Sequence, residues 1–254
     1  MSKLLAIETT GKQGSIAFSE SETGGILLSL SLTGSQRSTQ SLVPTIQSGL
    51  SELGWSPREL AHIAVAIGPG SFTGLRVGIT TARMLAYVTG AALLGVNTLQ
   101  AIAATIPISP AARPTAGQDT FLGAAMDAQR GDLSVQFFRQ IPDEIPEPVS
   151  RIELFSSDNW WEKTGEFEKI IVAGPILSKI LKRKPENVIV AEENLWNPTA
   201  SGVTLVAWSK ILRHQIDDIW QLQPFYSRLS AAEEKRLQIP EKSQGSEKCQ
   251  TPWP

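Results

Sequence analysis

The run Ile63-Ala64-Val65-Ala66-Ile67-Gly68-Pro69-Gly70-Ser71-Phe72-Thr73-Gly74-Leu75-Arg76-Val77-Gly78-Ile79 leaves this chain few ways to fold. Its five leading apolar residues, bounded by turn signals, make a buried strand. Gly68-Pro69-Gly70 breaks that strand, because proline fixes φ and glycine reaches backbone angles closed to other residues. Ser71 or Thr73 can then cap a helix over 74–88.

On a 3.6-residue wheel, Gly74, Gly78, Ala82 and Ala86 form a stripe of small residues. Val77, Met84 and Val88 lie on one flank with Leu85 beside the stripe, and Leu75 and Ile79 lie on the other. Arg76, Thr80, Arg83 and Tyr87 fill only a narrow polar sector. An ordinary surface helix shows one apolar stripe against its core. This helix needs cover on two sides, and its small residues let another backbone come close. Either its own domain supplies both covers or a partner chain supplies the second.

Around this unit the pattern predicts an antiparallel meander of strands at 4–8, 15–19 and 26–32, then a polar linker at 35–39. A helix over 40–53 follows, with Leu42, Val43, Ile46, Leu50 and Leu53 on one face. Pro44 is tolerated there because it falls near the first turns. A strand at 91–96 and a helix at 97–106 complete a mixed-sheet α/β order, since the later crossovers must be parallel. Residues 107–117, rich in Pro and Ala, read as an inter-domain crossing. Strands at 121–126 and 133–138 flank the turn Asp127-Ala128-Gln129-Arg130-Gly131-Asp132, repeating the strand-turn-strand opening and hinting at duplication. Residues 141–149 carry three prolines and read as loop. Further strands are expected at 150–154, 169–173 and 188–190, and helices at 158–163, 175–182 and 201–214. The domains expected are 1–106 and 107–214, with 215–232 packing back on the first. The tail, 233–254, is charged and then rich in Pro, Ser and Gln, and reads as disordered.

Bulk properties exclude several functions. With 23 basic against 25 acidic residues and a net charge of -2, no global field attracts nucleic acid. The single cysteine, Cys249, offers neither a disulfide framework nor a thiolate metal site. No apolar run approaches the ~20 residues of a membrane span, and Glu8 comes too early for a signal-peptide core. A cytoplasmic chain without a membrane partner is expected.

Catalytic parts are scarce. Gly68 to Gly74 after a strand invites a phosphate-loop reading, but Leu75-Arg76 stands where a Walker loop needs Gly-Lys-Ser/Thr. The glycine spacing also misses the dinucleotide fingerprint. Glu8 could hold a metal through water or be a solvated strand end. His62 and His214 form no ligand pair, and no Gly-x-Ser-x-Gly elbow occurs. Asp127 and Arg130 flank a tight turn, as a site or as an exposed ion pair worth about 1 kcal/mol at most. Trp160, Trp161, Trp196, Trp208 and Trp220 sit beside apolar runs and read as core or inter-domain packing rather than a base-stacking platform.

Gly68-Pro69-Gly70-Ser71-Phe72-Thr73-Gly74-Leu75-Arg76-Val77-Gly78 resembles the signature of the bacterial TsaB family, the YeaZ-type proteins. Leu5-Ala6-Ile7-Glu8-Thr9-Thr10 is similar to the family's opening strand, which usually carries Asp where Glu8 stands. Leu42-Val43-Pro44-Thr45-Ile46 resembles Leu-Leu-Pro-x-Ile, and Gly95-Val96-Asn97-Thr98-Leu99 resembles Gly-Val-Ser-Thr-Leu. Asp127 to Asp132 resembles Asp-Ala-Arg-Arg-Gly-Glu, and Gln223-Pro224-Phe225-Tyr226-Ser227-Arg228 the closing Pro-x-Tyr-Leu-Arg.

The resemblance implies an actin-like, Hsp70-like and sugar-kinase (ASKHA, ribonuclease H-like) α/β fold with two related domains. It implies a non-catalytic scaffold in making N6-threonylcarbamoyladenosine next to the tRNA anticodon. Such a scaffold binds and activates a catalytic paralogue, TsaD, on which the ATPase TsaE also docks, and it forms homodimers alone. No activity alone, no catalytic residue and no metal ligand are expected of this chain, and tRNA is met only through the complex. No cofactor is held tightly by the chain itself; the complex uses ATP and Mg. The implied partner interface carries over to Leu42, Ile46, Gly74, Leu75, Gly78, Ile79, Ala82, Arg83 and Ala86, so Gly78→Arg should break the complex and spare the fold. A degenerate nucleotide site carries over to Glu8, Thr9, Thr10, Asp127 and Arg130. The chain departs from the family at Ser38-Thr39-Gln40, where His-Ser-Glu is frequent, and at Met84, where Gly is usual. The bulk of Met84 implies a partner helix set farther off or in another register. The alternative is an ATP/Mg-dependent phosphotransferase or peptidase-like enzyme of the same fold.

Overall fold

A computed structural model describes residues 2–21, 25–32, 38–107, 119–142 and 144–228. The expected crossing at 107–117 lies almost wholly outside the described residues, and the expected disordered tail at 233–254 lies wholly outside them.

The first sheet opens with the antiparallel meander β1 (Lys3–Glu8), β2 (Ser15–Glu20) and β3 (Ile26–Ser31). Helix α1 (Ser38–Glu52) leads to β4 (Leu60–Gly68), α2 (Phe72–Thr89) and β5 (Ala92–Asn97). The strand order is β3-β2-β1-β4-β5, with β4 parallel to both neighbours. Helix α3 (Thr98–Ala103) then joins the second sheet.

That sheet holds β6 (Thr120–Asp127), β7 (Asp132–Gln140), β8 (Glu147–Pro148), β9 (Glu153–Ser156), β10 (Ile170–Ala173) and β11 (Val188–Val190). Helices α4 (Ser157–Thr164), α5 (Leu177–Ile180) and α6 (Ala200–Leu212) are the remaining α-helices among the described residues. The order is β11-β10-β6-β7-β8, with β9 also paired to β7. An antiparallel hairpin whose first strand pairs in parallel with a later strand recurs in both sheets: β1–β2 with β4, and β6–β7 with β10.

Strands β1 and β4 are apolar on both faces, which a sheet tolerates only when both are covered. On one face Leu5, Ile7, Ile63 and Val65 bury with Leu42 and Ile46 of α1 and Leu75 and Ile79 of α2. On the other, Leu4, Ala6, Ala64 and Ala66 bury with Val203, Val206 and Ala207 of α6. Helix α6 therefore belongs to the first sheet, not with the second-half elements among which 201–214 was expected. The physical reason is that α1 and α2 cover only one face, so the sheet needs a helix from later in the chain.

Leu99 and Ile102 of α3 join the second core while Ala101 joins the first. Trp160, Trp161 and Trp196 are core residues there, the first two stacked at 4.6 Å. Trp208 lies on the first sheet, donating to Ser19 Oγ at 2.7 Å. Trp220 is 65% exposed and is not core.

Two further differences are local. The strand expected at 150–154 begins at Glu153, because the Ser150 carbonyl and hydroxyl accept from Gln136 Nε2 and Phe137 N–H instead. Within the expected loop at 141–149, Glu147–Pro148 forms a two-residue edge strand, a place where proline costs no ladder bond.

The segment after α6 returns to the first sheet. Asp217 bridges Leu93, and its Oδ2 accepts from Gly95 N–H at 2.8 Å and Lys210 Nζ at 2.9 Å. Leu222 is buried, and Phe225 N–H donates to Ile67 O at 2.7 Å. Among the described residues no helix is long and apolar enough to cross a membrane.

Candidate functional site

A cleft of about 640 Å³ opens between the ends of the two sheets. Thr10 and Lys12 line it from the β1–β2 turn, Ser71 and Thr73 from the start of α2, and Asp127 and Lys179 from the second sheet's side. The strand-break-helix unit builds one wall. Gly68 takes φ 119°, a conformation that favours glycine. Ser71 caps α2 by accepting from Gly74 N–H at 3.2 Å, and its own N–H donates to Thr10 O at 2.9 Å.

Glu8 is neither a solvated strand end nor open to water; it is fully buried behind this turn. Its Oε1 accepts from the Thr10 N–H, the Thr10 hydroxyl and, at 3.1 Å, the Gly11 N–H. Oε2 has no hydrogen-bond partner among the described residues. Burial pushes the carboxyl up from 4.5 to about 7, against the lowering effect of the Thr10 and Gly11 bonds.

This sets a pH dependence. A carboxyl whose folded pKa exceeds its unfolded one adds stability that is whole below 4.5 and lost as pH rises through about 7. The loss is about 3 kcal/mol. Urea midpoints should therefore fall between pH 5 and pH 8, and the Glu8→Gln chain should lose that part of the slope. Equal slopes for both chains would refute the assignment.

Thr9 lines the cleft beside Thr10, with its Oγ1 donating to Gly74 O at 2.8 Å. Asp127 pairs with Lys179 Nζ at 2.7 Å, not with Arg130 as the turn spacing allowed, and its Oδ1 accepts from Gln129 N–H. Burial raises the Asp127 carboxyl, but the Lys179 ammonium and the Gln129 N–H outweigh it and hold it below its ordinary value. Arg130, at φ 57° in the same turn, is exposed and does not line the cleft.

Magnesium, which an ATP-using site would need, meets a poor donor set here. Glu8 Oε1 and both Asp127 oxygens already accept bonds within the chain, and the remaining Glu8 oxygen is buried. These residues do not fit such a group. Among the described residues no group of three or more His, Cys, Asp or Glu side chains could hold a metal ion.

The residues expected to meet a partner lie elsewhere than expected. Leu42, Ile46, Gly74, Leu75, Gly78, Ile79, Ala82 and Ala86 are buried in the chain's own core. A Cβ on Gly74 would fall 1.8 Å from Thr9 O, and one on Gly78 would fall 2.3 Å from Thr9 Oγ1. What the small-residue stripe admits is thus Thr9, just past the end of β1 in the same chain. Arg83 is half-buried and donates to Ile219 O at 2.7 Å and Trp220 O at 2.9 Å. The face turned outward is another one: Val43 of α1 (59% exposed) and Met84, Tyr87 and Val88 of α2 (59%, 63% and 69%). The wheel had already set Met84 and Val88 on one flank, and that flank was the signal for this face.

Two sheets of one plan, joined by a shared helix and parted by a cleft, define an actin-like α/β protein. The structure titled YeaZ from Pseudomonas aeruginosa has the same fold, with a TM-score of 0.73 and 22% identity, covering 89% of this chain and 100% of that one. The model of the family described as TsaD, tRNA N6-adenosine threonylcarbamoyltransferase, matches residues 15–150. The tRNA threonylcarbamoyladenosine biosynthesis protein TsaB of Bacillus subtilis (strain 168) is 25% identical over 203 residues, 77% of this chain and 82% of that protein. The protein of the same name from Escherichia coli (strain K12) is 34% identical over 101 residues, 40% of this chain and 42% of that one. The chain belongs to the TsaD family and within it is of the TsaB/YeaZ type.

Proposed function

We propose that this chain is a non-catalytic scaffold in the biosynthesis of threonylcarbamoyladenosine in tRNA. It docks the outward face of α1 and α2 on a catalytic TsaD-type paralogue, which a TsaE-type ATPase joins. Without the paralogue, the same face pairs two copies of the chain. Transfer chemistry, with its ATP and magnesium, then belongs to the assembled complex, and tRNA is met through that complex in the cytoplasm. The observation that carries this reading is the set of Val43, Met84 and Val88, large apolar side chains exposed on two adjacent helices, with Tyr87 set against Trp220 beside them. Apolar side chains exposed in a patch mark interaction sites. The cleft supports the same reading, since Asp127, the carboxylate that lines it, is already paired with Lys179.

Reconstitution with the TsaD-type and TsaE-type proteins of the same organism and the carbamoyl-adenylate synthase tests it. Modified tRNA is expected only when this chain is present, and the chain alone should bind Mg-ATP no more tightly than buffer controls in calorimetry. Equal modification without the chain, or ATP turnover by the chain alone that Glu8→Ala removes, would overturn the proposal.

A further inference from the structure

Residues 217–228 run from the first sheet to the second, and their attachments are unequal. At the first sheet the hold is extensive. Asp217 is fixed to Leu93, Gly95 and Lys210, Arg83 grips two successive carbonyls, Leu222 is buried, and Phe225 is bonded to Ile67. Tyr226 still belongs to this side, with its ring 4.9 Å from that of Phe72 and its hydroxyl 3.3 Å from Arg76 Nε. The next two residues cross over. Ser227 Oγ meets Ser134 Oγ at 2.6 Å, and Arg228 forms an ion pair with Asp132. Asp132 closes the β6–β7 turn through bonds with Ala128 and Gln129, so this end grips the hairpin that carries Asp127 to the cleft.

Side-chain links between the two sheets among the described residues also include Asn97 with Gln136, Gln100 with Pro146 O, and Arg213 with Glu144 and Glu147. None of these residues lines the cleft.

We propose that residues 217–228 are a latch, anchored on the first sheet and releasable at Ser227–Ser134 and Arg228–Asp132, that sets how far the cleft opens. Among the described residues the releasable end is held by one hydroxyl pair and one partly exposed ion pair, and salt weakens the latter. The anchored end has one ion pair of the same exposure, Asp217 with Lys210, but it is also held by backbone bonds from Asp217 to Leu93 and from Phe225 to Ile67, by the two Arg83 bonds and by buried Leu222, and it outlasts the other end. Once released, the β6–β7 hairpin swings with the second sheet about α3, which shares both cores.

Spin labels on Thr80→Cys and Ser178→Cys, exposed positions on α2 and α5, report the opening in a full-length chain with Cys249→Ser. Arg228→Ala and, separately, Ser227→Ala should broaden the distance distribution toward longer values. Amides at 127–134 should exchange about tenfold faster. Raising salt to about 1 M should do the same to the unmutated latch, a test that needs no latch variant to fold. Unchanged distributions and exchange in high salt and in either variant that folds would overturn the latch.

Discussion

A chain carrying Gly78→Arg is expected not to fold. At this position even a methyl group would stand 2.3 Å from Thr9 Oγ1, just past the end of β1, and 3.4 Å from Val65 Cγ2 of β4. A guanidinium there has no route to solvent, because Gly78 faces the core. Its burial without a partner adds a charge penalty to the steric one. Gly74→Ala is the milder form of the same experiment. Its Cβ would sit 1.8 Å from a backbone oxygen, Thr9 O, which cannot rotate aside as a side chain can. Overpacking of this severity costs roughly 4 kcal/mol, at the upper end for a single substitution. Urea denaturation should show Gly74→Ala with a much lower midpoint, and Gly78→Arg should be recovered only as insoluble protein. A soluble Gly78→Arg monomer with an unchanged melting temperature would show that α2 does not lie on β1 as described. It would also restore the idea that the stripe faces a partner.

The double variant Met84→Arg with Val88→Arg should do the opposite, leaving the fold intact and removing the complex. Both side chains are more than half exposed on α2, so the stability change should stay within about 0.5 kcal/mol. At the centre of a partner interface each buried apolar anchor is worth about 2 kcal/mol, and together they should weaken binding by about 1000-fold. Titration calorimetry with the TsaD-type protein reads this directly. Leu212→Arg, equally bare but at the end of α6, is the control and should bind as the unmutated chain does. If the double variant bound normally while Leu212→Arg did not, the docking face would have to be moved.

Much of the architecture was legible because strand, turn and helix signals are local. Helix α2 starts within two residues of the expected 74 and ends within one of the expected 88. Its cap at Ser71 was one of two alternatives that the spacing offered. The wheel was also right that α2 has more than one apolar side. What it could not say is which neighbour each side meets. Small residues four apart announce a close approach, and Thr9, just past β1 of the same chain, satisfies that as well as a foreign helix would. The same gap misplaced α6, since an apolar helix face does not name the sheet it covers. Glu8 shows a different limit. A lone acid at a strand end reads as solvated, and only the folded turn, curling Thr10 and Gly11 back onto its oxygen, reveals it as an interior group.

The bridge between Leu93 and Asp217 has a consequence for assembly. It occupies part of the outer margin of β5 with the chain's own backbone, so a foreign strand cannot be added there without first displacing the segment that holds it. Growth of this sheet by annexing another molecule's strand is thereby discouraged on one side, and association is steered toward side chains on helices, which can discriminate among suitors in a way that bare amide groups cannot.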